Sequence, residues 1–306
     1  MANTNVTTVL TQEMSTYYEK VFLDRAKVQL VNEQGAVKRT HPGNSGRTIN
    51  FTRQEPLAIN TSPLTEATNP AACVITASTV SVTLSEYGAA TIHSKLLSLT
   101  SIDAGMKEVV DSFGQNMGET LNAVTGLTLA CGTAFFPNGH NVSNVTTGDV
   151  LNSSAIIYTV QQLELNRAKP YEDGFYLGKT TIQNKVSLMK DSTWVAAHTY
   201  QDTKQLYKGE MGELYQVRWL LNGQTVSGNG NAGAAACTSV LYYSYVHGKN
   251  SFGTVDLAGD MPKLYVTTGA DSYNVANRVT NIAWAGTYAA VRLNDSWIQV
   301  IKAVAA

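Results

Sequence analysis

Thr48-Ile49-Asn50-Phe51-Thr52-Arg53 and Thr79-Val80-Ser81-Val82-Thr83-Leu84-Ser85 carry the pattern on which the fold turns. Each alternates. Ile49 and Phe51 point one way, Thr48, Asn50 and Thr52 the other. Val80, Val82 and Leu84 likewise oppose Thr79, Ser81 and Thr83. A period of two with β-branched and aromatic residues reads as a half-buried strand. Pro56, Pro63 and Pro70 lie between the two runs, where a central strand would not tolerate them. The pair is therefore a long two-stranded excursion with an irregular tip. At roughly 3.3 Å per residue, an arm of about 15 residues reaches on the order of 50 Å. An isolated hairpin is marginal in water, so this one needs another surface against its apolar face.

Working outward, the segment before the hairpin reads as a helical arm over Thr11 to Val31. Met14, Tyr17, Tyr18, Val21 and Arg25 fall near one face. His41-Pro42-Gly43-Asn44-Ser45-Gly46 then breaks the chain with turn residues. After the hairpin, Ile102 to Thr133 has the strongest helical period. Ile102, Met106, Val109, Val110, Phe113, Met117, Leu121, Val124 and Cys131 recur at steps of three and four, behind a capping-box-like Thr100 and Asp103. At 1.5 Å per residue such a helix is roughly 48 Å long. Gly105, Gly114, Gly118 and Gly126 weaken it by roughly 1 kcal/mol each relative to Ala, so packing must compensate.

Beyond Phe136-Pro137-Asn138-Gly139 the pattern is mixed. Ser154 to Ala168 and Thr180 to Lys190 read as helices, with a further helical turn or two in Asp191 to Tyr200. Phe175 to Leu177, Glu213 to Leu221 and Ser239 to Val246 read as strands. Asn222 to Ala236 is a Gly/Asn/Ala-rich insertion. Ile282 to Leu293 and Trp297 to Val304 flank Asn294-Asp295-Ser296 and predict a closing hairpin.

Composition narrows the function classes. The 306 residues include only 15% charged side chains, against roughly 25% in ordinary globular chains, and the net charge is -1. A weakly charged surface repels its copies little and favours association. A hydrophobic content of 43% excludes a disordered chain. No run of about 18 apolar residues predicts a membrane helix. Met1-Ala2-Asn3-Thr4-Asn5 lacks the basic and apolar regions of a secretory peptide, so none is expected. The balance is not basic enough for non-specific nucleic-acid binding. Cys73, Cys131 and Cys237 are far apart and odd in number, which reads as free thiols.

Signals for chemistry are weak. Gly228-x-Gly230-x-x-Gly233 spells a dinucleotide fingerprint but sits in the low-complexity insertion and leads into a strand-like run, where a phosphate-cradling loop needs a helix. His41, His93, His140, His198 and His247 show no metal-ligand spacing. Glu210 with Glu213 and Glu172 with Asp173 read as solvated turns, and no nucleophile elbow or Walker loop is present. No catalytic residue, cofactor or metal is expected. The strong signals are architectural: an arm and a hairpin whose apolar faces have no evident home in the chain.

The order of short motifs resembles the major capsid proteins of tailed bacteriophages, the family typified by the coliphage N-four capsid protein. The likeness is carried by Thr11-Gln12-Glu13 through Arg25-Ala26, Gly46-Arg47-Thr48-Ile49-Asn50-Phe51, Pro63-Leu64-Thr65-Glu66 and Leu84-Ser85-Glu86-Tyr87-Gly88. It continues in Asn166-Arg167-Ala168-Lys169-Pro170, Trp194-Val195-Ala196-Ala197-His198, Lys208-Gly209-Glu210-Met211-Gly212 and Gly248-Lys249-Asn250-Ser251-Phe252-Gly253. It ends in Leu293-Asn294-Asp295-Ser296-Trp297.

The resemblance implies an α+β, Hong-Kong-ninety-seven-type capsid fold. Residues 1–45 would be the N-arm and 46–85 the E-loop hairpin. Residues 86–149 and 270–306 would form the peripheral domain, with its spine helix over about 102–133, and 150–269 the axial domain. It further implies a non-enzymatic shell subunit that self-assembles as pentamers and hexamers into the icosahedral head enclosing double-stranded DNA, without sequence-specific binding and with no membrane. Portal, scaffolding and decoration proteins would be its partners, the virion capsid its location, and the bacterial host cytoplasm its place of assembly. Candidate interface residues are Tyr17, Tyr18 and Arg25 on the arm, Arg53, Glu55 and Glu66 on the hairpin, and Trp194 and Trp297. Two alternatives stand beside this reading: an encapsulin-like compartment shell, and a nucleotide-cofactor enzyme using Gly228 to Gly233.

Overall fold

The computed structural model describes residues 7–55, 57, 59–70, 72–96, 106–140, 145–193, 210–224, 227–229, 240–267 and 278–305. The arm is helix α1 (Thr7–Gln29). Strand β1 (Val37–His41) follows it. The excursion is β2 (Thr48–Gln54) paired antiparallel with β3 (Ala77–Thr83), Phe51 opposite Val80. Its root is clamped where the Arg47 Nε–H donates to the Leu84 carbonyl at 2.6 Å. Strand β4 (Ser85–Ser94) leads to the long helix α2 (Met106–Ala130); the expected start of that helix, from Ile102, lies outside the described residues.

Two sheets organise the rest. The first is centred on β13 (Val279–Arg292), a 14-residue strand. One of its edges pairs with β4. The other pairs with β12 (Lys263–Thr267) and β11 (Phe252–Leu257), and β1 joins β11 in parallel. The second runs β5 (Thr133–Phe135), β14 (Ile298–Val304), β10 (Val240–His247), β6 (Tyr176–Thr181), β8 (Val217–Asn222), β7 (Glu210–Leu214), with β9 (Ser227–Asn229) beside β10. Helix α3 (Ser153–Leu165) and helix α4 (Ile182–Lys190) accompany this second sheet. Asn152 caps α3 through a bond from the Ala155 amide, and Thr181 caps α4 through one from Asn184.

The predicted closing hairpin does not form. β13 and β14 belong to different sheets, and a 3-10 turn over Asp295–Trp297 redirects the chain between them. Alternating apolar residues identify a strand but not its partner, so adjacency in sequence was misleading. The single strand expected over Glu213 to Leu221 is two: Tyr215 and Gln216 take positive φ and turn β7 back on β8. Strands β1, β4, β5, β9, β11 and β12 fall on stretches where the sequence predicts none.

The arm's apolar face has a home in its own chain. Phe22 and Ala26 are buried against Val110, Met117 and Leu121 of α2, in a cluster that continues to Ile282, Trp284 and Tyr288 on β13. The buried face of α1 centres on Phe22 and Ala26, rotated from the face predicted through Tyr17 and Arg25. The glycines of α2 explain the close crossing. A Cβ at Gly114 would lie 2.5 Å from the Phe22 carbonyl oxygen, and one at Gly118 would lie 2.6 Å from that of Ala26. The hairpin root is covered too: Phe51, Ile49, Val80 and Val82 pack with Val255, Ala289 and Val291 of the first sheet. A second core fills the other sheet, with Leu151, Ile156, Leu163, Leu188, Trp219 and Ile301 fully buried.

Candidate assembly surfaces

With arm and root covered, the uncovered apolar surface concentrates at the hairpin tip. Val74 is 85% exposed, Ile59 72%, Leu64 66%, and Leu57 and Ile75 are exposed as well. Backbone pairing extends as far as the Glu55 amide donating to the Thr76 carbonyl, so the tip is the stretch beyond that rung. Across 55–76 the charged residues are Glu55 and Glu66. An apolar, nearly uncharged loop standing off a body on a two-stranded stalk is shaped for burial against something else.

A second apolar surface lies on the helices of the second sheet. Ile182, Val186 and Met189 are exposed at i, i+4 and i+7 on α4, and Ile157, Tyr158 and Leu165 are exposed on α3. Apolar residues at helical spacing mark a face turned to the core and one left open alike, so the sequence does not separate the two.

The predicted interface residues divide into groups. Glu66 is exposed at the tip. Arg53 donates to the Leu293 carbonyl at 3.3 Å and pairs with Glu55 at 3.7 Å, fixing the stalk to the body. Arg25 is spent within the chain, on Gln115 at 3.1 Å and Asp111 at 3.5 Å. Tyr18 packs against the α1–α2 cluster, whereas Tyr17 is exposed. The Trp297 Nε1–H donates to the Asn166 carbonyl, and its ring packs on the second core. Trp194 lies outside the described residues. Gly228 sits in β9, opposite Leu241 of β10, so the start of the dinucleotide-like motif lies in a strand; Gly230 and Gly233 lie outside the described residues.

Polar chemistry is internal. The Asn32 amide donates to Asn122 Oδ1 at 2.7 Å, Asn122 Nδ2 to Asn222 Oδ1 at 3.0 Å, and Asn222 Nδ2 to Asn32 Oδ1 at 3.2 Å. This closed ring ties the chain after α1 to α2 and to the end of β8, and the sequence held no signal for it. Asp149 has a fully buried side chain. Burial pushes its carboxyl upward, but bonds from the Thr146 amide, His140 and Asn138 outweigh this and hold it below the usual range. No group of three or more metal-ligating side chains occurs among the described residues.

No protein-family model matches the sequence, and no curated protein matches it either. The fold has clear relatives. A chain from the capsid of Ralstonia phage GP4 superposes with a TM-score of 0.67 at 11% identity, over 90% of this chain and 88% of that one. One from the capsid structure of the cyanophage P-SCSP1u gives 0.65 at 15%, over 90% and 89%. A chain of the virus-like particle from Pyrococcus furiosus gives 0.50 at 9%, over 94% and 99%. The chain has the Hong-Kong-ninety-seven-type capsid fold, as the sequence reading expected.

Proposed function

We propose that this protein is the major capsid subunit of a tailed bacteriophage, a structural protein that builds an icosahedral head around double-stranded DNA. The observation that carries the reading is the pairing of this fold with the bare apolar tip at residues 57–75. A subunit whose exposed loop is completed by its neighbour is weakly held once and firmly held many times, because each contact raises the effective concentration for the next. On this reading the subunit forms pentamers and hexamers and works with portal, scaffolding and decoration proteins inside the bacterial cytoplasm. Low net charge fits a wall that encloses DNA without gripping it. The hairpin serves as the E-loop. Residues 86–149 and 270–306 would form the peripheral domain and 150–269 the axial one, with two exceptions. The sheet shared by β4, β11, β12 and β13 supports moving 252–267 to the peripheral side, and the pairing of β5 and β14 with the sheet of β10 supports moving 133–135 and 298–304 to the axial side. Tyr17, Glu66 and the tip residues are the interface positions with free surface to offer. Arg53 and Glu55 act by aiming the stalk.

Negative-stain electron microscopy of the expressed chain, with scaffold if needed, tests this directly. Closed shells are expected. Deleting Leu57–Asn69 should leave a soluble, folded subunit that forms none. Wild-type chains that never assemble would sink the proposal; shells built by the deletion variant would sink the role of the tip. A compartment shell is the second reading, favoured only by the superposition on the virus-like particle, whose TM-score is the lowest of the three. Particles with a packaged enzyme and no nucleic acid would select it.

A further inference from the structure

Besides the Asn32, Asn122 and Asn222 ring, two side chains of the body each end on a carbonyl oxygen of the chain between α1 and β1. The Lys179 ammonium, on β6 and fully buried, donates to the Asn32 carbonyl at 2.7 Å. The Tyr171 hydroxyl donates to the Gly35 carbonyl at 3.0 Å. His247, at the end of β10 and fully buried, backs both: its Nδ1 is 3.1 Å from the Tyr171 hydroxyl, and its ring meets Phe252 edge-on at 5.0 Å. Lys179 Nζ lies 4.7 Å from the centroid of the same Phe252 ring. The fit is tight. Gly35 has φ of +82°, and a Cβ there would fall 2.3 Å from the Tyr171 hydroxyl and 2.9 Å from His247 Cε1.

We propose that this junction of Gly35, Tyr171, Lys179 and His247 is a proton-released latch that holds the arm turn, residues 30–36, to the body of the subunit. The argument rests on what a second ring proton would meet. His247 Nε2 is buried with no hydrogen-bond partner among the described residues. With Tyr171 donating to Gly35, Nδ1–H donates to Tyr171 and Nε2 carries a bare lone pair. A proton taken there from solvent creates an N–H without an acceptor, on a cation enclosed beside Lys179 and Phe252.

The surrounding charges do not relieve it. Burial holds the Lys179 amine well below its ordinary value, and Glu33 on the arm turn, the carboxylate that pulls it back up, is already paired with Lys38 at 2.8 Å. Asp256 on β11 is pushed upward by burial and by Glu33. Burial holds the Tyr171 phenol above its ordinary value, so it stays a neutral hydroxyl. Burial first, then Lys179, hold His247 well below the ordinary imidazole value, against a smaller opposing pull from the Gly248 carbonyl. The sign follows. An opened turn restores the ordinary value, so the closed form is favoured above about pH 6.5 and loses ground as pH falls through it. The turn is the part that opens, since β6 and β10 are central strands of their sheet; opening also breaks the bonds of the buried Asn32 to Asn122 and Asn222, so the latch acts together with that ring.

Hydrogen exchange on the full chain, corrected for intrinsic rates, reads the latch at the amides of Asn32, Gln34 and Ala36, which bond to Asn122 Oδ1 and to the Val31 and Glu33 carbonyls. Protection there should fall at least roughly tenfold between about pH 7.5 and about pH 5, while Leu241 to Val246 in β10 stay protected. His247→Asn should abolish the fall. Gly35→Ala should give the low protection at both pH values. Unchanged wild-type protection, an acid loss that His247→Asn retains, or simultaneous loss in β10 would each overturn the latch. Should His247→Asn fail to fold, Tyr171→Phe, which keeps the ring but removes the bond to the Gly35 carbonyl, must lower the protection of Asn32, Gln34 and Ala36 at about pH 7.5; unchanged protection overturns the proposal as well.

Discussion

Asp149 anchors the end of the chain from both its side chain and its backbone. Its carboxylate collects the Thr146 amide, Asn138 and His140, while its carbonyl accepts from the Val304 amide at the close of β14. Asp149→Asn keeps the shape and removes the charge, so about 1–3 kcal/mol of stability should be lost at neutral pH. Because the folded carboxyl sits below its unfolded value, its contribution is present above about pH 4 and fades as pH falls through the folded value. Denaturant unfolding at neutral pH and below about pH 3 should therefore show a gap between wild type and variant that narrows in acid; an equal gap at both would refute the charge argument. In the sequence Asp149 is one acid in a loop. Its side-chain partners lie within 11 residues, but a loop carries no period that would mark them, and the Asn32, Asn122 and Asn222 ring draws on segments about a hundred residues apart.

Helix α2 changes meaning between sequence and structure. Its period predicts a helix over Ile102 to Thr133, which the described residues bear out from Met106 and which ends at Ala130, and its glycines read as weaknesses needing compensation. Gly114 and Gly118 are instead the sites where α1 approaches, with the Phe22 and Ala26 carbonyls inside the space a methyl group would need. Substituting Ala for Gly in an exposed helix gains about 1 kcal/mol. At Gly118 the sign should reverse: Gly118→Ala should lose about 1–3 kcal/mol, because both obstructing atoms are close-packed backbone or Cβ. Thermal unfolding measures it, and a raised midpoint would show that α1 moves aside without cost. Periodicity finds an amphipathic helix but cannot say which other helix lies on it, so the arm's apolar face went unassigned.

At the scale of the molecule, low charge and open surface belong together. A chain with 15% charged residues exposes an apolar tip carrying two carboxylates over 22 positions, and apolar faces on α3 and α4. Contacts made by such surfaces are hydrophobic, and raising the salt to about 1 M shrinks the screening length to about 3 Å without weakening them. Assembled shells should therefore stay intact from about 0.05 to 1 M NaCl by light scattering. Dissociation on adding salt would mean that ion pairs hold the shell.

By itself, the sequence determined the parts: a helical arm, a proline-tipped hairpin, a long helix, a mixed middle, and a surface too poorly charged for a solitary globule. Those are properties of local period and composition, which each segment carries within itself. Only the tertiary structure decided the pairings: α1 on α2, β14 beside β10 and not β13, and two carbonyls of the arm turn held by Lys179 and Tyr171. It also decided which apolar residues remained bare. A strand or helix presents the same face to any complementary partner, and distant segments compete for that face on the basis of shape, burial and connectivity that no single stretch encodes.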